Sequence, residues 1–228
     1  MTKREITYFI VSFCIFLGVI FLMSNIQGRT INRKHDTTIV VVPRIGLDTT
    51  INVVGKTALF IGDSHTSNHS WGWQVILKNK TKLKLHNTSI IGKQLPWMVN
   101  VAKKTITPYF KYCFIYGGVN DLYGKRDPYL VFKDVQKIVN ICKKNNVECV
   151  VITGVSPNCI EPLKDSRLFL KNYTKYQQLL IDSTTNAKVI NITTVNKNDC
   201  FDWVCHMKYS GHKKISELII KKMNFKSY

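Results

Sequence analysis

The sequence predicts a three-layer α/β/α sandwich on a five-stranded parallel sheet, and three observations carry that expectation. Short β-rich runs alternate with longer stretches of helical spacing, the runs are apolar at nearly every position, and glycines or capping residues punctuate the junctions. A strand that is apolar throughout is buried on both faces, and right-handed crossovers then leave few topologies.

The runs fall at residues 58–61, 83–86, 112–116, 148–152 and 188–192. Between them, helical stretches are expected over 65–78, 95–107, 128 onward, 165–182 and 211–223, the last with Ser210 as its cap. The third is the clearest. Asp127 is a natural N-cap, Pro128 suits the first helical position, and Val131, Val135, Ile138 and Cys142 recur on one face. The resulting order, βαβαβαβαβα, is that of a flavodoxin-like domain, whose ligands bind beyond the carboxyl ends of the strands.

With 228 residues, 45% of them hydrophobic, the chain has room for one such domain and a short appendage. Residues 1–5 form a short flank. Residues 6–23 carry no charge and are apolar except for Thr7, Ser12 and Gly18, so they are read as a transmembrane helix, a single-pass N-terminal anchor. Secretion after signal cleavage is the alternative, but no small-residue cleavage site follows Met23. Orientation stays open, because Lys3 and Arg4 are matched by Arg29, Arg33 and Lys34. Residues 24–56 read as a stalk and 57–228 as the domain.

The formal net charge of +19 is spread in lysine clusters, such as Lys78, Lys80, Lys82 and Lys84. Such a field favours anionic substrates or lipids, and is equally the solvated surface of a soluble domain. No arginine-rich run or aromatic-interleaved motif is present, so specific nucleic-acid binding is not expected. Of the seven cysteines, Cys14 lies in the apolar run and the other six are scattered through core segments and read as buried thiols, with Cys200 and Cys205 the first pair to consider for a disulfide. The short-spaced ligand pairs of a zinc site are missing, as are phosphate and dinucleotide loops, so no metal or cofactor is implied.

Unusual residues cluster where strands should end. Gly62-Asp63-Ser64-His65 follows the first run, Gly92 the second, and Gly117-Gly118-Val119-Asn120-Asp121 the third, while Asp202 and His206 precede the last helix. Singly, each has an ordinary explanation: Ser64 as a helix cap, Asn120 and Asp121 as a turn. Together, in this order, they resemble the conserved blocks of the SGNH hydrolase superfamily, the GDSL-type esterases and lipases, over nearly everything from Thr57 onward.

The resemblance implies roles. Ser64 is the nucleophile, His206 its base and Asp202 the acid that orients the base. The backbone N–H groups of Ser64 and Gly92 and the Asn120 amide form an oxyanion hole. The chemistry is consistent with this. A serine hydroxyl needs a base within hydrogen-bond reach, and the charge that develops on a carbonyl oxygen needs preorganised donors. His206, followed by Ser210-Gly211-His212, has the family's spacing, which makes His212 a helix residue. The family's acid lies three positions before the histidine, where this chain has Trp203; Asp202 lies four before, so a one-residue bulge is expected.

The implied function is a membrane-anchored serine esterase acting on a small-molecule or glycan ester, with a carbohydrate O-acetyl group favoured. Trp71, Trp73 and Trp97 offer faces for stacking on sugars, although packing in the core accounts for them as well. An O-acyltransferase acting on a glycan shares the acyl-enzyme, and a catalytically inactive polyanion-binding membrane module is the non-enzymatic alternative.

Overall fold

The computed structural model describes residues 50–67, 70–159, 166–201 and 206–228. The apolar run 6–23 and the acid candidate Asp202 lie outside the described residues, within which no helix is long and apolar enough to cross a membrane.

Five strands, β1 (Thr57–Gly62), β2 (Lys84–Asn87), β3 (Tyr112–Tyr116), β4 (Glu148–Ile152) and β5 (Lys188–Ile190), form one parallel sheet in the order β2-β1-β3-β4-β5. The central strands β1 and β3 are buried along almost their whole length, as their unbroken apolar runs require. Edge strand β2 instead alternates between exposed and half-buried positions.

Six helices connect and cover the strands: α1 (Trp73–Thr81), α2 (Leu95–Thr105), α3 (Val119–Tyr123), α4 (Pro128–Lys144), α5 (Ser166–Ser183) and α6 (Tyr209–Met223). Helices α1 and α6 pack together on one side of the sheet; α2, α4 and α5 pack in sequence on the other. Helix α4 starts as its sequence dictates. The Asp127 carboxylate accepts the N–H groups of Tyr129 and Leu130, and Pro128 follows it.

Three details differ from the sequence expectation. After β1, residues 63–67 form a tight turn, and the helix expected from His65 starts at Trp73. Helix α6 begins at Tyr209, after Lys208, which places Ser210 inside the helix rather than at its cap. The domain also reaches upstream of Thr57: Val53 is fully buried, and the Ile51 N–H donates to Asn224 O at 2.6 Å. Phe225 pairs with Ile51 there, so the C-terminus pins the segment that leads into β1.

Candidate active site

Crossovers in one direction place the carboxyl ends of all five strands, and the amino ends of the helices, on one edge of the domain. On that edge the residues after β1 make a compact turn. Asp63 Oδ1 accepts the His65 N–H at 3.0 Å, Thr66 N–H donates to Asp63 O at 3.1 Å, and Ser67 Oγ donates to Ser64 O at 3.0 Å. Locked this way, the turn leaves Ser64 half-buried while its neighbours are buried. His206, from the far end of the chain, brings Nε2 to 2.9 Å from Ser64 Oγ.

Phe201 N–H donates to His206 O at 3.0 Å, Cys200 and Met207 form an antiparallel bridge, and Lys208 N–H donates to Asp199 O at 2.7 Å. Positions 202–205 lie between these closed ends. Asp199 is not directed to the imidazole: its Oδ2 takes Lys214 Nζ at 2.6 Å and the Asn196 N–H at 3.2 Å. Burial works to raise the Asp199 carboxyl, but the Lys214 hydrogen bond and the Asn196 N–H outweigh it and hold it below its ordinary range.

The other two histidines near the turn have different surroundings. His65 is buried beneath it, with its ring 5.3 Å from that of His206, and Trp73 Nε1–H donates to its carbonyl at 3.0 Å. Burial first, then the charges of His206 and His212, push its imidazole down to about 3, so it stays neutral at physiological pH. His212, inside α6, accepts the Trp73 backbone N–H on Nδ1 at 3.2 Å, which puts its own proton on Nε2 and ties the start of α1 to α6.

The Asn120 amide lies between two loops. Its Nδ2 is 3.2 Å from Asp63 Oδ2 and 3.3 Å from Lys93 O, which joins the nucleophile turn to the loop after β2. In that loop Gly92 adopts φ +74°, a left-handed conformation open to glycine, and Lys93 N–H closes the turn onto Ile90 O at 3.3 Å. Among the described residues the backbone N–H groups of Ser64 and Gly92 make no hydrogen bond. Both Asn120 contacts are long for N–H···O bonds, so one hydrogen can turn to a substrate oxygen at small cost.

Asp63 was legible in the sequence only as a letter of the motif. In the structure it is fully buried and joins the turn to Asn120. Burial pushes its carboxyl up to about 7; the His65 N–H opposes the rise and the Asp121 charge adds to it. Asp121 is likewise fully buried: it accepts the Leu95 N–H on Oδ2 at 2.9 Å and pairs through Oδ1 with Arg126, which also reaches Asp134 at 2.8 Å. Burial dominates there too and raises the Asp121 carboxyl, against the Leu95 and Arg126 hydrogen bonds. No sequence signal marks Arg126 as the partner of two carboxylates.

Of the tryptophans, Trp73 is a fully buried core residue, Trp97 is half-buried with Lys93 Nζ 5.7 Å from its ring centre, and Trp71 is 40% exposed against His212. Trp73 therefore offers no face to a substrate.

No family model matches the sequence, and no curated protein does. Solved structures do match. A lipolytic protein of the G-D-S-L family from Veillonella parvula is 16% identical, with 73% of this chain and 97% of that one covered at a TM-score of 0.62. An acetyl xylan esterase is 14% identical over 72% of this chain and 98% of its own, with a TM-score of 0.58. A catalytic mutant of an acetylxylan esterase from Geobacillus stearothermophilus is 15% identical over 77% and 98%, at 0.59. The described domain thus shares its fold with these lipolytic proteins and acetylxylan esterases.

Proposed function

We propose that the chain is a serine esterase of the SGNH type, and the observation that carries this is the 2.9 Å contact between Ser64 Oγ and His206 Nε2 at the carboxyl edge of the sheet. Ser64 Oγ attacks the ester carbonyl carbon as His206 Nε2 takes its proton. The carbonyl oxygen becomes an oxyanion facing the Ser64 and Gly92 N–H groups and one hydrogen of the Asn120 amide. The tetrahedral species collapses, His206 returns the proton to the departing alcohol, and Ser64 is left acylated. Water then attacks the acyl group with His206 again as base, releasing the acid and restoring the hydroxyl. Asp202, four positions before His206, is the acid proposed to orient the imidazole.

The substrate we propose is a short acyl group, acetyl above all, on a carbohydrate hydroxyl. Support comes from two of the structural neighbours, which are acetylxylan esterases, and from Trp71, exposed beside the helix that carries His212. The apolar run 6–23 is proposed to tether the enzyme to a membrane.

A fluorophosphonate probe tests the reading. The full chain is expected to be labelled at Ser64 and to release acid from a short-chain p-nitrophenyl ester, and Ser64→Ala to lose both while unfolding at the same denaturant concentration. Wild-type turnover in Ser64→Ala would remove the proposal.

A further inference from the structure

The edge opposite the candidate site, where strands begin and helices end, collects lysines. Lys56 leads into β1, Lys84 opens β2, Lys78 lies in the last turn of α1 with Lys82 as its C-cap, Lys222 lies in the last turn of α6, and Lys226 follows that helix. Backbone hydrogen bonds hold most of these within one patch. Gly55 N–H donates to Lys82 O at 3.1 Å, Lys84 N–H to Lys56 O at 2.8 Å, and Lys226 N–H to Ile51 O at 3.0 Å. All six are exposed. Among the described residues none of Lys56, Lys78, Lys82, Lys84 and Lys222 makes an ion pair, and Glu217 is matched by Lys80 at 3.3 Å.

A lysine in a helix's last turn has an ordinary explanation, since it complements the negative end of the helix dipole. That explanation covers Lys78, Lys222 and the C-cap Lys82, but not Lys56, Lys84 or Lys226, which lie outside the helices and their caps. Two carboxylates share this edge, Glu148 at the start of β4 and Asp182 in the last turn of α5, but they belong to the β4–β5 side of the sheet, away from the lysines around β1 and β2, and Glu148 is matched by Lys188 at 3.1 Å.

Two further features share the lysine patch. A cavity of about 410 Å³ is lined by Lys78, Lys82 and Lys84 with Asn79, Leu83 and Leu85. Beside it Ile51, Val54 and Tyr228 are 42%, 41% and 54% exposed. Aliphatic and tyrosine side chains among lysines suit the boundary between lipid headgroups and acyl chains, whereas a nucleic-acid or polyanion surface has no use for Ile51 and Val54. The first described residues, Thr50 and Ile51, also lie at this patch, where the Ile51 N–H donates to Asn224 O at 2.6 Å.

We propose that this lysine face docks the domain onto an anionic phospholipid bilayer, with headgroup phosphates seated at the Lys78–Lys82–Lys84 cavity. The carboxyl edge then faces the aqueous phase, and Ser64 takes its ester from the water side rather than from the bilayer beneath. The docking is independent of the catalytic reading, and its test measures no turnover.

The full chain is bound to vesicles of phosphatidylcholine alone and of phosphatidylcholine with phosphatidylserine. Any contribution of the apolar run is common to both, so the ratio of the two partition coefficients isolates the electrostatic part. A lysine near an anionic surface is worth about fivefold in partitioning. Lys78→Gln, Lys82→Gln, Lys84→Gln and Lys222→Gln combined should therefore lower the ratio on the order of several hundredfold, whereas Lys171→Gln with Lys175→Gln on α5 should leave it unchanged. Hydrogen exchange of residues 81–85 and 224–228 should slow on the anionic vesicles and recover in high salt. An unchanged ratio in the fourfold variant overturns the proposal. So does protection of these segments by an RNA oligonucleotide or heparin but not by anionic vesicles, which would make the face a polyanion site.

Discussion

Asp63→Asn tests the most unusual group in the site. Asp63 is fully buried, and its carboxyl is pushed from 3.8 to about 7, chiefly by burial. That displacement corresponds to about 4 kcal/mol of preference for the neutral form. The folded state holds the proton more tightly than the unfolded chain, so this group's contribution to stability is complete below about pH 4 and is lost as the pH rises toward 7. Asparagine is neutral throughout. The difference in unfolding free energy, wild type minus Asp63→Asn, should fall by about 4 kcal/mol between pH 4 and pH 8, as read by urea unfolding followed through tryptophan fluorescence. Taking the difference cancels the opposite trend from the +19 net charge, which is common to both proteins apart from this residue. Activity should fall as well. The substituted amide can still accept the His65 N–H through its oxygen, but its NH₂ group then meets the Asn120 amide where Oδ2 stood at 3.2 Å, and Asn120 must turn its oxygen toward the substrate. The loss in kcat should be roughly 100-fold, with KM little changed. Parallel stability curves for the two proteins would refute the account of Asp63.

Asn120→Ala should lower kcat by roughly 10²–10³ fold, and an effect confined to KM would make Asn120 a ground-state contact instead. Asp202→Asn should cost orders of magnitude in kcat. Asp199→Asn should cost only about 1 kcal/mol of stability, because its partner Lys214 is 46% exposed, and little turnover; steady-state kinetics of both variants reverse the assignment if Asp199→Asn proves the slower. A chain starting at Thr57 should unfold at lower denaturant than one starting at Thr50, by about 2 kcal/mol, since it discards the fully buried Val53 and the Ile51 hydrogen bonds; equal midpoints would make residues 50–56 dispensable.

The parts of this molecule legible in its sequence are those written locally. Residues 112–116 and 148–152 are strands to the residue, because a continuous apolar run bounded by polar residues has one buried extended solution. Asp127-Pro128 marks a helix start because capping is a contact within four residues. The turn after Gly62 reads as the start of a helix because Ser64 can serve as a cap, while the Asp63 and Ser67 side chains bond to the backbone two and three residues away and bend it into a turn instead. The segment around Val53 reads as stalk because Ile51 within it finds its partners, Asn224, Phe225 and Lys226, at the opposite end of the chain. The pairing of Ser64 with His206 spans 142 positions, and only the motif order suggests it. Asp121 is legible only as a member of the third block, and Arg126 and Asp134 carry no signal, since charges of this kind occur at any loop or helix surface.

That last network bears on how three loops from three strands keep one geometry. The sheet fixes strand ends, but Gly92 and Asn120 lie beyond them, and a misplacement of an ångström would cost about 100-fold in rate. Asp121 spans the gap: its carboxylate takes the Leu95 N–H at the start of α2, just after the Gly92 loop, from within the helix that bears Asn120. Gln94 Nε2 donates to Asn120 O at 3.2 Å across the same junction. From the other side Tyr176 Oη donates to Gly117 O at 2.9 Å and packs so closely that a Cβ on Gly118, at φ +108°, would fall 2.7 Å from its ring. A buried carboxylate paired with arginine returns little net stability after desolvation, and hydrophobic residues of the same volume commonly do as well. What an apolar pair cannot do is hold a helix N-terminus and an asparagine-bearing turn in fixed register, which makes the Asp121–Arg126 pair a positioning element.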